Sequence, residues 1–283
     1  MNRILALVDG SAYSESVCRH GAWIAGRLGA GVDLMHVLGR REGGAGRDLS
    51  GSLRLGARSA LLAELAELDA ARARVSQSRG RAILEDAEAI LRDAGIADIS
   101  THLRKGDLIE AVAAQEPELR AIVVGKRGEG ADFAAGHLGS NLERIVRATR
   151  VPVLVAARSF RPVDRVLVAF DGSASARAAI RRMSDSPVFA GLGVTLLHAG
   201  EDRPAMRDRL DEAAMSLAGS GLRPHVRTEP GDPEEVIERL VAEEGHDLLV
   251  MGAYGHSRIR NLIIGSTTTA MVRAVRIPVL LYR

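Results

Sequence analysis

The chain has 283 residues, which suits two domains better than one, and its 46% hydrophobic and 26% charged residues are typical of globular proteins. The formal net charge of +2 is near balance, and no basic run or aromatic platform favours nucleic-acid binding. The only cysteine, Cys18, excludes an internal disulfide and fits a reducing compartment, with a buried inert thiol favoured over a redox sensor. Because a signal-peptide pattern and a long apolar run are both missing, we expect a soluble, cytoplasmic protein that makes no membrane contact.

The chain repeats itself in order. The strand-like run ending in Asp9-Gly-Ser matches one ending in Asp171-Gly-Ser, at an offset of 162 (171 − 9). Four further matches follow the same order along both copies: Leu34-Met-His36 with Leu196-Leu-His198, Ile122-Val-Val-Gly125 with Leu249-Val-Met-Gly252, Gly139-Ser140 with Gly265-Ser266, and Val151-Pro-Val-Leu with Ile277-Pro-Val-Leu. We therefore predict two copies of one domain, at 1–158 and 164–283.

Each copy alternates short apolar strands with helical patterns, which predicts an α/β fold with parallel strands and right-handed crossovers. In the first copy we predict strands over 2–8, 31–38, 99–104, 120–125 and 151–156, and helices over 11–28, 79–93, 107–114 and 140–149. In the second copy we predict strands over 164–170, 193–199, 223–228, 247–252 and 277–282. Asp107 and Asp232 are expected to cap helices, and Pro152 and Pro278 suit edge strands.

The first copy carries an insertion. His36 and Gly106 are 70 positions apart in the first copy, whereas His198 and Gly231 are 33 positions apart in the second. The first copy is therefore 37 residues longer over this stretch. The first part of the insertion, 39–51, has the composition of a loop. The second part, 57–75, predicts an amphipathic helix with these residues along one side: Leu61, Leu62, Leu65, Leu68 and Val75. This helix packs on its own domain, covers a ligand, or offers a surface to another subunit.

A glycine-rich stretch, 252–267, lies between an apolar strand and a helical pattern. Glycines allow close approach of the backbone to an anion, and a helix N-terminus supplies unpaired N–H groups. The stretch lacks the lysine of a Walker A loop, and it lies too late in the chain for a dinucleotide fingerprint. Ser266 and Thr267 either cap the helix or donate to a phosphate oxygen.

The pattern Gly252-x2-Gly255-x9-Gly265-Ser266 resembles the signature of the universal stress protein family. The repeated Asp-Gly-Ser, the strand-end histidines and the Pro-Val-Leu endings extend the resemblance over nearly the whole chain, as two tandem domains. It implies five-stranded, Rossmann-like domains of the adenine nucleotide alpha hydrolase-like type, related by a pseudo-twofold, with their last strands pairing. It also implies ATP with Mg²⁺ at the carboxyl ends of the strands, in a regulatory protein of the stress response.

The resemblance assigns site residues in both copies. In the second copy, where binding is mainly expected, they contact adenine, ribose or phosphates: Asp171, Ala199, Gly252, Tyr254, Gly255, Gly265, Ser266 and Thr267. In the first copy the corresponding residues are Asp9, Val37, Gly125, Gly128, Gly139 and Ser140. The first copy departs from the pattern, with ten residues instead of nine before its last glycine and Asn141 in place of Thr267. It either binds a nucleotide too or is purely structural, and Lys126 either neutralises phosphate or is solvated.

Other functions stay open as alternatives. One alternative is a slow ATPase or phosphotransferase that uses the same crevice. Another is a scaffold that acts through protein contacts without nucleotide. No catalytic residue is assigned, and no protein ligands for a metal are expected. His36 and His198 are expected to be hydrogen-bonded core residues because each lacks partner ligands at zinc spacing. An unidentified protein partner and a homodimer of tandem chains are further expectations.

Overall fold

The computed structural model describes residues 2–39, 55–126, 140–254 and 265–283, without the side chains of residues 55–61 and 140. The first half contains β1 (Arg3–Leu7), α1 (Ser14–Leu28), β2 (Gly31–Leu38), α2 (Leu55–Asp93), β3 (Ile99–Lys105), α3 (Leu108–Gln115), β4 (Leu119–Gly125), α4 (Ser140–Ala148) and β5 (Val153–Ala156). The second half contains β6 (Arg165–Ala169), α5 (Ala174–Ser184), β7 (Gly193–Ala199), α6 (Pro204–Gly219), β8 (Pro224–Glu229), α7 (Pro233–Glu244), β9 (Leu248–Gly252), α8 (Ser266–Ala274) and β10 (Val279–Tyr282). The predicted α/β fold is confirmed, and the strand ends differ from the prediction by no more than two residues.

The strands form one sheet that runs through both halves. Its order is β3-β2-β1-β4-β5-β10-β9-β6-β7-β8, so the second half repeats the first in reverse order. Strands within each half are parallel, whereas β5 and β10 pair antiparallel with Leu154 opposite Leu280. The expected pairing of the last strands is confirmed, and it joins two five-stranded sheets into a single ten-stranded one.

Pro152 and Pro278 do not mark edges of this sheet, so that prediction is wrong. Each proline stands one residue before its strand, and β5 and β10 are the two central strands. Because both prolines precede their strands, the lack of a proline N–H group removes no donor from the hydrogen bonds between the strands. Their carbonyls still take part, since Ile122 donates its N–H to Pro152 at 2.9 Å and Leu249 donates to Pro278 at 3.0 Å.

Two apolar layers cover the sheet, and both cross from one half to the other. Successive strand residues point to opposite faces, so Ile4 and Leu5 belong to different layers. Leu154 and Leu280 lie together in one layer, where α1, α2, α5 and α6 pack, and Val155 and Val279 lie in the other. The seam between the halves is therefore part of a continuous core.

Helix caps and the cysteine agree with the sequence predictions. Asp107 accepts the N–H of Ile109 at 2.8 Å, and Asp232 accepts that of Glu234 at 2.8 Å, so both residues cap helices. Cys18 is buried in α1, and burial raises the pKa of its thiol to about 12. No helix among the described residues is long and apolar enough to cross a membrane.

Helix α2 differs most from the prediction. The two helices predicted over 57–75 and 79–93 form one continuous helix of 39 residues. Gly80 allows its C-terminal part to pack on the sheet, because an added Cβ would lie 2.7 Å from Leu103. The side chains of residues 62–75 are all exposed, so the expectation that this part packs on its own domain is wrong. The loop predicted over 39–51 lies, from residue 40 onward, outside the described residues.

Candidate functional site

A cavity of about 260 Å³ opens at the carboxyl ends of the second-half strands, between α7 and α8. We call it the second-half cavity, and its walls are formed by Ala169, Phe170, Asp171, Ser173, Leu197, Ala199, Pro233, Ile237, Met251, Gly252, Gly265, Ser266, Thr267 and Thr268. Six of the eight residues predicted for this copy thus lie together. Gly255 lies outside the described residues, and Tyr254 is not part of the wall.

The N-terminus of α8 forms one wall of this cavity. Gly265 is the N-cap residue and has no side chain, so no side-chain hydrogen bond caps the helix. Ser266 and Thr267 belong to the first turn of the helix, so neither of them is its N-cap residue. Thr268 is buried, and its hydroxyl donates to the carbonyls of Gly252 at 3.2 Å and Ala253 at 3.3 Å. This hydroxyl holds the start of α8 against the end of β9, with the N–H groups of the first turn beside the cavity.

Asp171 forms a turn and contributes to the cavity wall. Its Oδ1 accepts the N–H of Ser173 at 2.9 Å, and Gly172 takes a φ of 72°. The Ser173 Oγ then accepts the N–H of Ala176 at 3.2 Å and caps α5. The turn fixes the carboxylate at the carboxyl end of β6, where Asp171 is the only acidic residue among the described wall residues.

Gly252 has a packing role that the sequence did not reveal. A Cβ at this position would collide with the Ser175 hydroxyl and would lie 2.9 Å from the N–H nitrogen of Ala176. The missing side chain therefore lets α5 approach the end of β9. Ser175 uses this approach to donate its hydroxyl to the carbonyl of Tyr254.

Tyr254 belongs to the seam between the halves. The guanidinium of Arg283 lies 5.7 Å from the centre of its ring, and Arg283 also donates to the carbonyl of Arg147 at 2.6 Å, near the end of α4. Lys126 makes the reciprocal contact, because its Nζ donates to the Val275 carbonyl at the end of α8 at 2.7 Å. Both cations lie at the negative end of a helix dipole in the other half.

The described residues of the first half include the turn and two of the predicted strand ends. Asp9 accepts the N–H of Ser11 at 3.0 Å, and Val37 and Gly125 lie at the carboxyl ends of β2 and β4. Gly128 and Gly139 lie outside the described residues, and Ser140 begins α4 without a described side chain. Among the described predicted residues of this half, Asp9 forms side-chain hydrogen bonds and Val37 packs against an apolar layer of the core.

Two residues of α4 distinguish the halves. At the offset of 126 that relates Ser140 to Ser266, Leu142 occupies the place of Thr268 and is buried in the core. Arg144 occupies the place of Ala270 and donates to Asp107 at 2.6 Å, which ties α4 to α3. This hydrogen bond is the main cause that lowers the pKa of the Asp107 carboxyl, with the N–H groups of Ile109 and Glu110 adding to it.

The strand-end histidines are hydrogen-bonded as predicted. The Nδ1 of His36 donates to the Val8 carbonyl at 2.8 Å, and that of His198 donates to the Phe170 carbonyl at 3.1 Å. Each contact links two neighbouring strands beside the Asp-Gly-Ser turn. In the part of the chain that the structure describes, no group of three or more metal-ligating side chains comes together.

Eight wall residues of the second-half cavity were not among the predicted site residues, and four of them add hydroxyls or a further helix to the wall. Ser173 and Thr268 line it with hydroxyls, and Pro233 and Ile237 line it with apolar surface from α7. Ser173 and Thr268 adjoin or belong to predicted motifs, so their positions at helix starts could have revealed them. Pro233 and Ile237 carry no motif, and only the packing of α7 across the strand ends brings them in.

Comparisons with known proteins agree on one family. A model of the universal stress protein family matches residues 1–157 and 199–283. A universal stress protein of Synechocystis sp. is 36% identical over 287 aligned positions, which cover 100% of both chains. One of Mycobacterium tuberculosis is 26% identical over 230 positions, covering 73% of this chain and 78% of the relative. In fold, a crystal structure of a universal stress protein from Archaeoglobus fulgidus is similar at a TM-score of 0.73 and 21% identity, covering 99% of this chain and 98% of that one.

Proposed function

Because the chain belongs to the universal stress protein family, we propose that it is a stress-response regulator that binds ATP with Mg²⁺ in its second-half cavity. One observation carries this proposal. Asp171, Ala199 and Gly252, from three different strand ends, meet the uncapped start of α8 in one cavity. Such a crevice outside the carboxyl ends of parallel strands is where open α/β sheets bind ligands.

The chemistry of the wall supports a nucleotide in a defined orientation. Apolar surface from Phe170, Leu197 and Ile237 suits a base, and the backbone at Ala199 offers hydrogen bonds to its edge. The carboxylate of Asp171 suits an amino group or a ribose hydroxyl. The volume of about 260 Å³ lies just below the range of about 300–1,000 Å³ usual for small-molecule sites, so it suits the nucleoside part.

The phosphates would then lie at the start of α8. Gly265 permits close approach, and the first-turn N–H groups and the positive dipole end favour negative charge. Ser266 and Thr267 add hydroxyl donors at the same place. None of the described wall residues is a lysine or arginine, and a divalent cation held on the phosphate oxygens would balance part of their charge. Mg²⁺ fits this role because it is usually held by phosphate oxygens and water with few protein ligands.

The differences between the halves support one site per chain. Leu142 removes the hydroxyl that Thr268 supplies, and the Arg144–Asp107 bridge ties α4 to α3. We accordingly propose 1–158 and 164–283 as two domains with unequal roles, the first structural and the second nucleotide-binding. We propose binding without efficient turnover, because Asp171, the one carboxylate among the described wall residues, already takes part in the turn before α5.

Native mass spectrometry with ATP and Mg²⁺ tests this proposal. We expect one nucleotide per chain, and its loss in Gly265→Val, whose added bulk would fill the phosphate position. The matched control is Gly139→Val at the corresponding position of the first half, which should keep one nucleotide bound. A second pair, Asp171→Asn and Asp9→Asn, keeps the Oδ1 acceptor of each turn and removes only the charge.

Each result has a defined meaning. Binding that persists in Gly265→Val, or that is lost in Gly139→Val instead, would contradict the assignment to the second half. Two nucleotides per chain would show that Leu142 and Arg144 do not close the first crevice. No binding at millimolar ATP would favour a scaffold, and phosphate release faster than buffer hydrolysis would favour an ATPase.

A further inference from the structure

The exposed segment of α2, residues 62–75, presents apolar side chains to solvent. Leu62 is 57% exposed, Leu65 38%, Leu68 50% and Val75 69%. Four of the six large apolar residues that are exposed in the described chain thus lie on this one segment. Isolated helical stretches of this length are marginal in water, and a helix with an apolar stripe normally buries it.

The spacing of the stripe suits another helix. Leu65, Leu68, Arg72 and Val75 follow one another at intervals of three, four and three residues, which is the spacing of a coiled-coil seam. Arg72 fits such a seam because its aliphatic stem packs against apolar neighbours while its guanidinium reaches out to a partner. The partner predicted by this spacing is therefore a helix with a similar stripe.

The charges identify which helix. Residues 64–69 contain the acids Glu64, Glu67 and Asp69 and no basic residue. Residues 72–81 contain the arginines at 72, 74, 79 and 81 and no acid. Two copies of this helix placed antiparallel bring the acidic stretch of each against the basic stretch of the other. A parallel arrangement would instead oppose like charges, which is unfavourable.

We propose that the exposed segment of α2 is a homodimerisation surface, on which a second copy of this chain pairs antiparallel through its own α2. The pairing has the twofold symmetry of an isologous interface, since the same patch meets itself. It leaves the sheet seam untouched, because β5 and β10 already pair with each other inside one chain. It is independent of nucleotide binding, so its test uses the protein without ATP.

The first test is the mass in solution by sedimentation. The chain of 30.1 kDa should form a species of about 60 kDa (2 × 30.1) that dissociates on dilution. Leu65→Glu with Leu68→Glu should reduce it to the monomer. Met215→Glu is the matched control, because Met215 on α6 is 66% exposed and lies outside the stripe. A circular dichroism spectrum and thermal midpoint close to wild type would show that each variant is folded.

The second test exchanges charges. One variant carries Arg72→Glu, Arg74→Glu, Arg79→Glu and Arg81→Glu, and the other carries Glu64→Arg, Glu67→Arg and Asp69→Arg, so that residues 64–81 of each helix carry charges of one sign. Each variant alone should be monomeric, and an equimolar mixture should form the dimer again. A monomeric wild type at all concentrations, or a dimer that survives Leu65→Glu with Leu68→Glu, would overturn the proposal. A dimer that persists in either single-sign variant would also overturn it.

Discussion

Burial of His20 should lower the stability of the folded protein in acid, and replacing His20 should remove this part of the pH dependence. The side chain is fully buried in α1, where its Nδ1 donates to the Ser16 carbonyl at 2.7 Å and its ring meets Phe160 edge-on at 4.9 Å. Its Nε2 has no hydrogen-bond partner among the described residues. Burial therefore lowers the pKa of His20 from 6.5 to about 4, with the Ser16 hydrogen bond opposing the shift.

The size and direction of the effect follow from this pKa. Well above pH 6.5 His20 is neutral in both the folded and the unfolded state, so it contributes no pH dependence there. As the pH falls from 6.5 to about 4, the unfolded chain binds a proton that the folded chain excludes, and stability is lost. The difference between the unfolded and folded pKa values, about 2.5 (6.5 − 4), corresponds to about 3 kcal/mol of unfolding free energy, of which about 2 kcal/mol is lost by about pH 5.

The assay is urea unfolding at about pH 7 and about pH 5, followed by the fluorescence of Trp23, the single tryptophan, and by circular dichroism. His20→Gln should shrink the difference in unfolding free energy between the two pH values by about 2 kcal/mol, whatever its effect at pH 7. The control His225→Gln removes an exposed histidine and should leave the difference unchanged. If His20→Gln and the wild type lose the same stability, His20 is not buried as a neutral imidazole.

Three further outcomes are expected. Gly252→Ala should destabilise the protein by about 1–3 kcal/mol in urea unfolding, because its Cβ would collide with α5. Gly26→Ala, in α1 with open space around its Cβ, should instead stabilise by about 0.5–1 kcal/mol, and an equal loss in both variants would contradict the packing argument. A thiol-labelling reagent should leave Cys18 unmodified in the native protein and modify it fully in urea, whereas rapid native labelling would refute its burial. ATP with Mg²⁺ at about 100 times its Kd should add about 2.7 kcal/mol to stability in wild type and nothing in Gly265→Val, and equal stabilisation of both would count against the second-half cavity.

The repeat and the strands could be predicted because their signals are local. Buried parallel strands are short apolar runs, and the recurring Asp-Gly-Ser and Gly-Ser motifs mark where strands end and helices begin. The same motifs include Asp171 and Gly265, which the structure brings together at one cavity. Pairing of β5 with β10 followed from the family resemblance and not from any pattern within the strands.

The remaining features depend on contacts between distant residues. The continuity of α2 was missed because residues 72–81 carry little apolar periodicity and include Gly80, whose role depends on Leu103 across the sheet. Tyr254 was placed in the site by its neighbours in sequence, whereas Arg283 holds it at the seam. The prolines suggested edges because each half alone would end there.

The two halves that meet at the β5–β10 ladder belong to one polypeptide, and this linkage has a consequence for the evolution of the protein. A dimer of identical single domains must carry every substitution twice, once on each side of its axis. Covalent linkage removes that constraint, so Leu142 and Arg144 can alter one crevice while Thr268 persists in the other. If the chain has the one nucleotide site we propose, binding should follow a hyperbolic saturation curve with a Hill coefficient of one, and the first half would be free to specialise in the proposed assembly through α2.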